Sequence, residues 1–111
     1  MDMMEITEEK VNKAVSAILE VLGDPQTNYQ KHAIACFRLG EYDKVRRLAA
    51  TNLEDFYCKS LGYLSSAFKL LPNTDTILAE SARAAAEYKA EFLKRKTLDW
   101  LGKEIDSALN N

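Results

Sequence analysis

Apolar residues recur at spacings of three and four from Val11 to Leu109, and nowhere do β-branched and polar residues alternate between hairpin turns. A chain with only this period buries its apolar surface by packing helix on helix, so the sequence predicts an all-α protein. Thr7 is placed to cap a first helix over about 8–22, with Glu8 and Glu9 favourable to its dipole and Ile6 and Val11 at the positions of a hydrophobic staple. Val11, Ala14, Val15, Ile18 and Leu22 form its apolar stripe, and Gly23-Asp24-Pro25 stops it. Asn28 or Thr27 caps a second helix with Tyr29, Ala33, Cys36 and Phe37 inward, ending at Gly40 in a position suited to a left-handed C-cap. A third follows at once, with Tyr42, Val45, Leu48 and Ala49 inward and Lys44, Arg46 and Arg47 outward. So short a connection carries only an antiparallel helical hairpin.

Asn52 is read as opening the fourth helix, with Asp55 three residues on in a capping-box relation and Phe56, Ser60, Tyr63, Leu64, Ala67, Phe68 and Leu71 on one face. Pro72-Asn73-Thr74-Asp75 ends it. A fifth, Ala-rich helix from about Thr76 carries Ala82, Ala85, Ala86, Lys89 and Leu93 on a face that lets another backbone come close, and Lys94-Arg95-Lys96 closes it. A sixth presents Leu98, Leu101, Ile105 and Leu109, with Trp100 beside them. About six helices in antiparallel hairpins, forming a single domain over residues 1–111, are therefore expected.

At 111 residues the chain is one domain's worth. Its 17 acidic and 15 basic side chains rule out the broad basic face of a nonspecific nucleic-acid binder. Lys44-Arg46-Arg47 and Lys94-Arg95-Lys96 are short runs beside acidic neighbours, and such runs are solvated helix faces. Cys36 and Cys58 lie far apart without a CxxC pair, so they read as reduced thiols packed as small hydrophobes. MDMMEITEEK lacks the basic and apolar regions of a leader, and no apolar run approaches the roughly 20 residues that cross a bilayer. A soluble intracellular protein is expected, without membrane contact.

Enzymatic chemistry has little to act through. His32 is the single histidine and has no Ser, Cys and carboxylate constellation about it in the sequence. Glu8, Glu9, Glu20, Asp24, Glu54, Asp55 and Asp75 are scattered, mostly at helix starts, and form no calcium loop or paired-carboxylate motif. No Gly-rich phosphate loop occurs. No catalytic residue, metal, cofactor or small-molecule substrate is assigned. The aromatics Tyr29, Phe37, Tyr42, Phe56, Tyr57, Tyr63, Phe68 and Tyr88 outnumber what a thin two-layer array needs, so some are expected to line a concave groove as protein-binding anchors.

The stretch from Tyr29 to Val45 resembles one tetratricopeptide unit, a helix–turn–helix of about 34 residues. Ala33 falls at the close-contact position, Gly40 at the tight turn and Tyr42 at the hairpin base, while Val45 stands where the repeat usually has Ala. A second unit starts at Phe56, sooner than the period requires. Ala33-Ile34-Ala35-Cys36-Phe37, Glu41-Tyr42-Asp43-Lys44, Phe56-Tyr57, Tyr63-Leu64-Ser65 and Phe92-Leu93-Lys94-Arg95-Lys96 together resemble the N-terminal region of a tetratricopeptide family among the subunits of the anaphase-promoting complex, a cell-cycle ubiquitin ligase. The resemblance is densest over residues 29–66 and looser from 76 to 111.

That resemblance implies a non-catalytic scaffold, nuclear or cytoplasmic, whose leading helices form a homodimer and which meets other protein subunits. It also implies that the chain is the beginning of a longer repeat protein. On this basis Val11, Val15, Ile18 and Leu22 are expected at a dimer interface and Tyr29, Phe37, Tyr57 and Tyr63 in a groove, with Ala33, Gly40, Tyr42 and Val45 structural. The apolar stripes of the first and last helices lack a polar-faced capping repeat, so something must cover them. Two alternatives stand beside this reading: another tetratricopeptide-like adaptor or chaperone that clasps a partner helix, and a helical subunit of a DNA-replication complex. The second rests on Leu53-Glu54-Asp55-Phe56-Tyr57 followed by the basic helix end.

Overall fold

Thr7 accepts a hydrogen bond from the Lys10 amide and so opens α1 (Glu8–Leu22), which Gly23 ends with a positive φ of 84°. The computed structural model describes residues 7–110; the staple partner Ile6 lies outside them. There follow α2 (Asn28–Arg38), α3 (Tyr42–Thr51), α4 (Phe56–Ala67) with a 3-10 turn at Phe68–Leu70, and α5 (Thr74–Leu109). The fold is all-α, with no strand among the described residues.

Thr27 and Gln30 cap α2 reciprocally, each side chain bonded to the other's backbone amide. At its far end Glu41 N–H donates to Cys36 O (2.9 Å) and Gly40 N–H to Phe37 O (3.1 Å), the two bonds of a Schellman turn. Gly40 holds φ at +78°, a conformation strained for any side chain but glycine's. The turn folds α3 back on α2, and Tyr42 packs its ring 5.5 Å from Phe37 and 6.3 Å from Phe68. The helical hairpin is therefore closed by an aromatic cluster rather than by the turn alone.

The start of α4 differs from expectation. Asn52 closes α3, donating through its backbone amide and its side-chain amide to Leu48 O. Asp55 is the cap of α4, its carboxylate accepting from the Tyr57 and Cys58 amides. A carboxylate aimed at two amides satisfies more of a helix start than an amide three residues upstream can. Gln30 Nε2 donates to the other Asp55 oxygen at 3.2 Å, tying the starts of α2 and α4 together. Arg46 reaches across to Ser65 O at 3.0 Å, and the backbones of α3 and α4 approach so closely that a methyl group at Gly62 would stand 2.6 Å from Ala49 Cβ.

The fifth and sixth expected helices are one helix of 36 residues. Asn73 and Thr76 form its capping box. Lys94-Arg95-Lys96 does not end it, because neither Gly nor Pro follows and Lys and Arg are good helix formers. The body half of α5 packs most extensively on α1 and then on α4, burying Ile77, Ser81, Ala84 and Ala85. The α1 contact closes the array on itself, where an open solenoid would leave the first and last helices apart.

Two hydroxyls in this core, Tyr57 Oη and Ser81 Oγ, have no hydrogen-bond partner among the described residues. An unsatisfied buried hydroxyl costs about 1–3 kcal/mol. Burial, followed by the negative charges of Asp24 and Asp55, pushes the Tyr57 phenol up to about 12. The folded state thus holds the neutral phenol more firmly than the unfolded chain, whose phenol titrates near 10. That contribution is full below about pH 10 and is lost as pH rises through 12. Tyr57→Phe is expected to raise stability by about 1 kcal/mol at pH 7, and to flatten the decline of stability above pH 10, both read from urea melts.

Candidate protein-docking helix

The residues expected at an interface lie instead inside the chain. Val11, Val15 and Ile18 are buried, and Leu22 packs half-buried against the same core. The reason is α5, whose body half covers the stripe of α1 that the sequence left without a neighbour. Phe37 and Tyr57, expected in a groove, are fully buried in the core as well. Phe37 meets Phe68 edge-on at 5.5 Å. The concave surface that would have displayed them is filled by helix packing.

Tyr63 is half-buried and donates its hydroxyl to Glu80, while the guanidinium of Arg83 lies 5.6 Å from its ring centre. Arg83 is held between Glu80 and Glu87. Hydrogen bonds from Arg83 and then Tyr63 hold the Glu80 carboxyl down at about 2. This cluster fastens α4 to α5. Tyr29 alone of the groove residues is exposed, at 58%. Ala33 and Val45 are fully buried and, with Gly40 and Tyr42, build the α2–α3 hairpin.

Cys36 Sγ stands 3.7 Å from His32 Nε2, the one thiol–imidazole approach in the chain's described part. Burial, then the Glu41 carboxylate, pushes this thiol up from its ordinary range, the opposite of what a thiolate nucleophile needs. Burial drives Cys58 further, to about 12. Among the described residues no group of three or more His, Cys, Asp or Glu could hold a metal ion, and no helix is long and apolar enough to cross a membrane.

What the structure leaves uncovered is the second half of α5. Every residue from 93 to 110 is exposed, and the molecule measures 68 × 24 × 21 Å because this arm extends past the body. The last anchor is Phe92, whose ring lies 5.1 Å from Phe56. Beyond it Leu93, Leu98, Trp100, Leu101, Ile105 and Leu109 stand in solvent, from 43% exposed at Leu101 to 78% at Leu109. At 100° per residue they occupy one side of the arm, with Arg95, Lys96, Asp99, Lys103 and Asp106 on the other. The row that α5 buries in the body and the row it exposes on the arm lie about 130° apart around the same helix. The exposed side therefore faces away from the body, and the body does not obstruct it.

Monomeric proteins rarely leave so long a row of large apolar side chains in water, and such rows are typical of interaction surfaces. The apolar stripes of the first and last helices are both legible in the sequence, but periodicity alone does not say which of them the fold leaves in solvent.

The fold and the arm define a class: an all-α helical-hairpin protein carrying a projecting amphipathic helix. Compared with known proteins, the chain matches no family model, no curated protein and no solved structure.

Proposed function

We propose that this chain is a non-catalytic scaffold that docks onto protein through the apolar side of its projecting helix. The observation that carries the reading is the exposure of Leu98, Leu101 and Ile105 on an arm supported by its own body. An amphipathic helix presenting anchors at this spacing is recognised by a complementary helix or groove, and the binding free energy comes from covering them. The partners are proteins, a second copy or another subunit, with no cofactor and no nucleic acid involved.

The tetratricopeptide-like α2–α3 hairpin, with Gly40 at its turn and Tyr42 at its base, supports a narrower form of the same reading. In that form the chain is a scaffold segment of a tetratricopeptide subunit of the anaphase-promoting complex, acting in the nucleus or cytoplasm. In this form the docking surface is the arm, the apolar stripe of the leading helix being packed inside the body.

The test compares the wild-type chain with Leu101→Asp/Ile105→Asp. Both positions are exposed, so the double variant keeps its helical circular dichroism and its melting temperature within a few degrees. The wild type is expected to form a stoichiometric complex, with itself or with a partner identified by mass spectrometry from the source cells. The double variant is expected to lose it, by at least tenfold in affinity. A wild type that forms no complex of either kind, or a double variant that binds equally well, overturns the proposal.

A further inference from the structure

The exposed side of the arm is complementary to itself under one particular rotation. Lys94 and Glu104 are the two charged residues that fall within the apolar row of residues 93–109. Neither makes an ion pair among the described residues, whereas Glu91 and Arg95 at the arm's base pair with each other at 3.8 Å. Laying a second arm alongside, antiparallel, with the two-fold axis near residue 99, sets Lys94 opposite Glu104 of the other copy and Glu104 opposite its Lys94. The same register sets Leu93 opposite Ile105 and Leu98 opposite Trp100, with Leu101 next to them along the row. A parallel pair in register would instead set lysine against lysine and glutamate against glutamate, which repel.

Size matches as well as charge. Leu109 at the tip reaches the other copy where α5 leaves its body, and there the outer side carries exposed Ala86 and Ala90. Small residues at the base give a bulky tip room to seat, so each end of the arm fits the opposite end of its neighbour. The body lies about 130° around the helix from this row, so the second helix meets no obstruction.

We infer that the occupant of the arm is a second copy of this chain, the two projecting helices pairing antiparallel across Leu98 and Leu101 with Lys94 matched to Glu104. The inference rests on the protein-docking reading and names its partner. Two bodies then sit at opposite ends of a shared helical pair, and the dimer presents two identical helical bodies a fixed distance apart.

Sedimentation of the full chain over a concentration series is expected to show a monomer–dimer equilibrium. Lys94→Glu or Glu104→Lys alone turns both attractions into repulsions and weakens the dimer on the order of tenfold at low salt. The double exchange Lys94→Glu/Glu104→Lys restores it. All three changes are on an exposed face, and helical circular dichroism verifies that each variant is folded. A spin label at Asn110→Cys reads the direction, because antiparallel arms set the two labels about 35 Å apart and parallel arms about 10 Å.

A monomer at every concentration overturns the inference, and so does a dimer indifferent to the single charge reversals or one with labels at the short distance. A monomer that still forms a heterologous complex lost in Leu101→Asp/Ile105→Asp overturns self-pairing alone and leaves the docking reading standing. Failure of both experiments removes the two together.

Discussion

Ile18→Asp should leave little folded protein at neutral pH. Ile18 is 1% exposed, enclosed between the stripe of α1 and the helices packed on it. Removing its branched side chain costs about 2–5 kcal/mol on its own. The carboxylate that replaces it has no partner, and burying one uncompensated charge or forcing it to protonate costs several kcal/mol more. A domain of this size holds only about 5–15 kcal/mol in total. The expected result is loss of most of the helical circular dichroism at 25 °C, while Ile18→Val costs only about 0.5–1.5 kcal/mol and stays folded. An interface residue behaves otherwise: Ile18→Asp would then be a folded monomer with a native melt. The same substitution at Ile105, 59% exposed on the arm, is expected to leave the fold intact.

The contrast between Ile18 and Ile105 shows where the sequence was legible. Periodicity and capping chemistry are local, so Thr7, Thr27, Gly23 and Gly40 marked their helix ends correctly, and α1 lies where its stripe and stop signals set it. Which face of which helix meets another is not local. The stripe of α1 looks the same whether α5 or a second protein covers it. The apolar row of α5 shifts around the helix between Phe92 and Leu98, and a shift of phase without a Gly or Pro reads from sequence as two helices. Only the continuity of the backbone shows that one helix serves two surfaces. Gly62 carried a signal that went unused: a glycine inside an otherwise apolar helix costs about 1 kcal/mol relative to alanine, and its close approach to Ala49 accounts for it.

The aromatic residues divide in the same way. Counting them indicated a surplus, and a surplus on a two-layer array implied a groove. The structure uses three of them to close the α2–α3 hairpin, where Phe37, Tyr42 and Phe68 meet in one cluster, and a fourth, Phe56, to anchor the base of the arm against Phe92. The rings are thus taken up inside the body, and the large apolar side chains left in water are mostly leucines on the arm.

Phe37→Ala separates these two uses of an aromatic ring. Phe37 is fully buried, with Tyr42 tilted against it and Phe68 edge-on, each at 5.5 Å between ring centres. Truncation removes the burial of a whole ring, about 3–5 kcal/mol, together with two aromatic contacts that carry about 0.5–1.5 kcal/mol each beyond their area. These terms overlap, so the expected loss is about 4–5 kcal/mol in a urea melt, with an unchanged slope because the surface exposed on unfolding is nearly the same. Tyr29→Ala, at an exposed position one helix turn upstream of Ala33, is expected to change stability by less than about 0.5 kcal/mol. Self-association at equal folded concentration should be untouched by either substitution, because neither side chain belongs to the arm. If Phe37 lined a binding groove the pattern would invert: stability would hold and binding would fall. The two readouts on one variant therefore decide whether this ring is used for folding or for recognition.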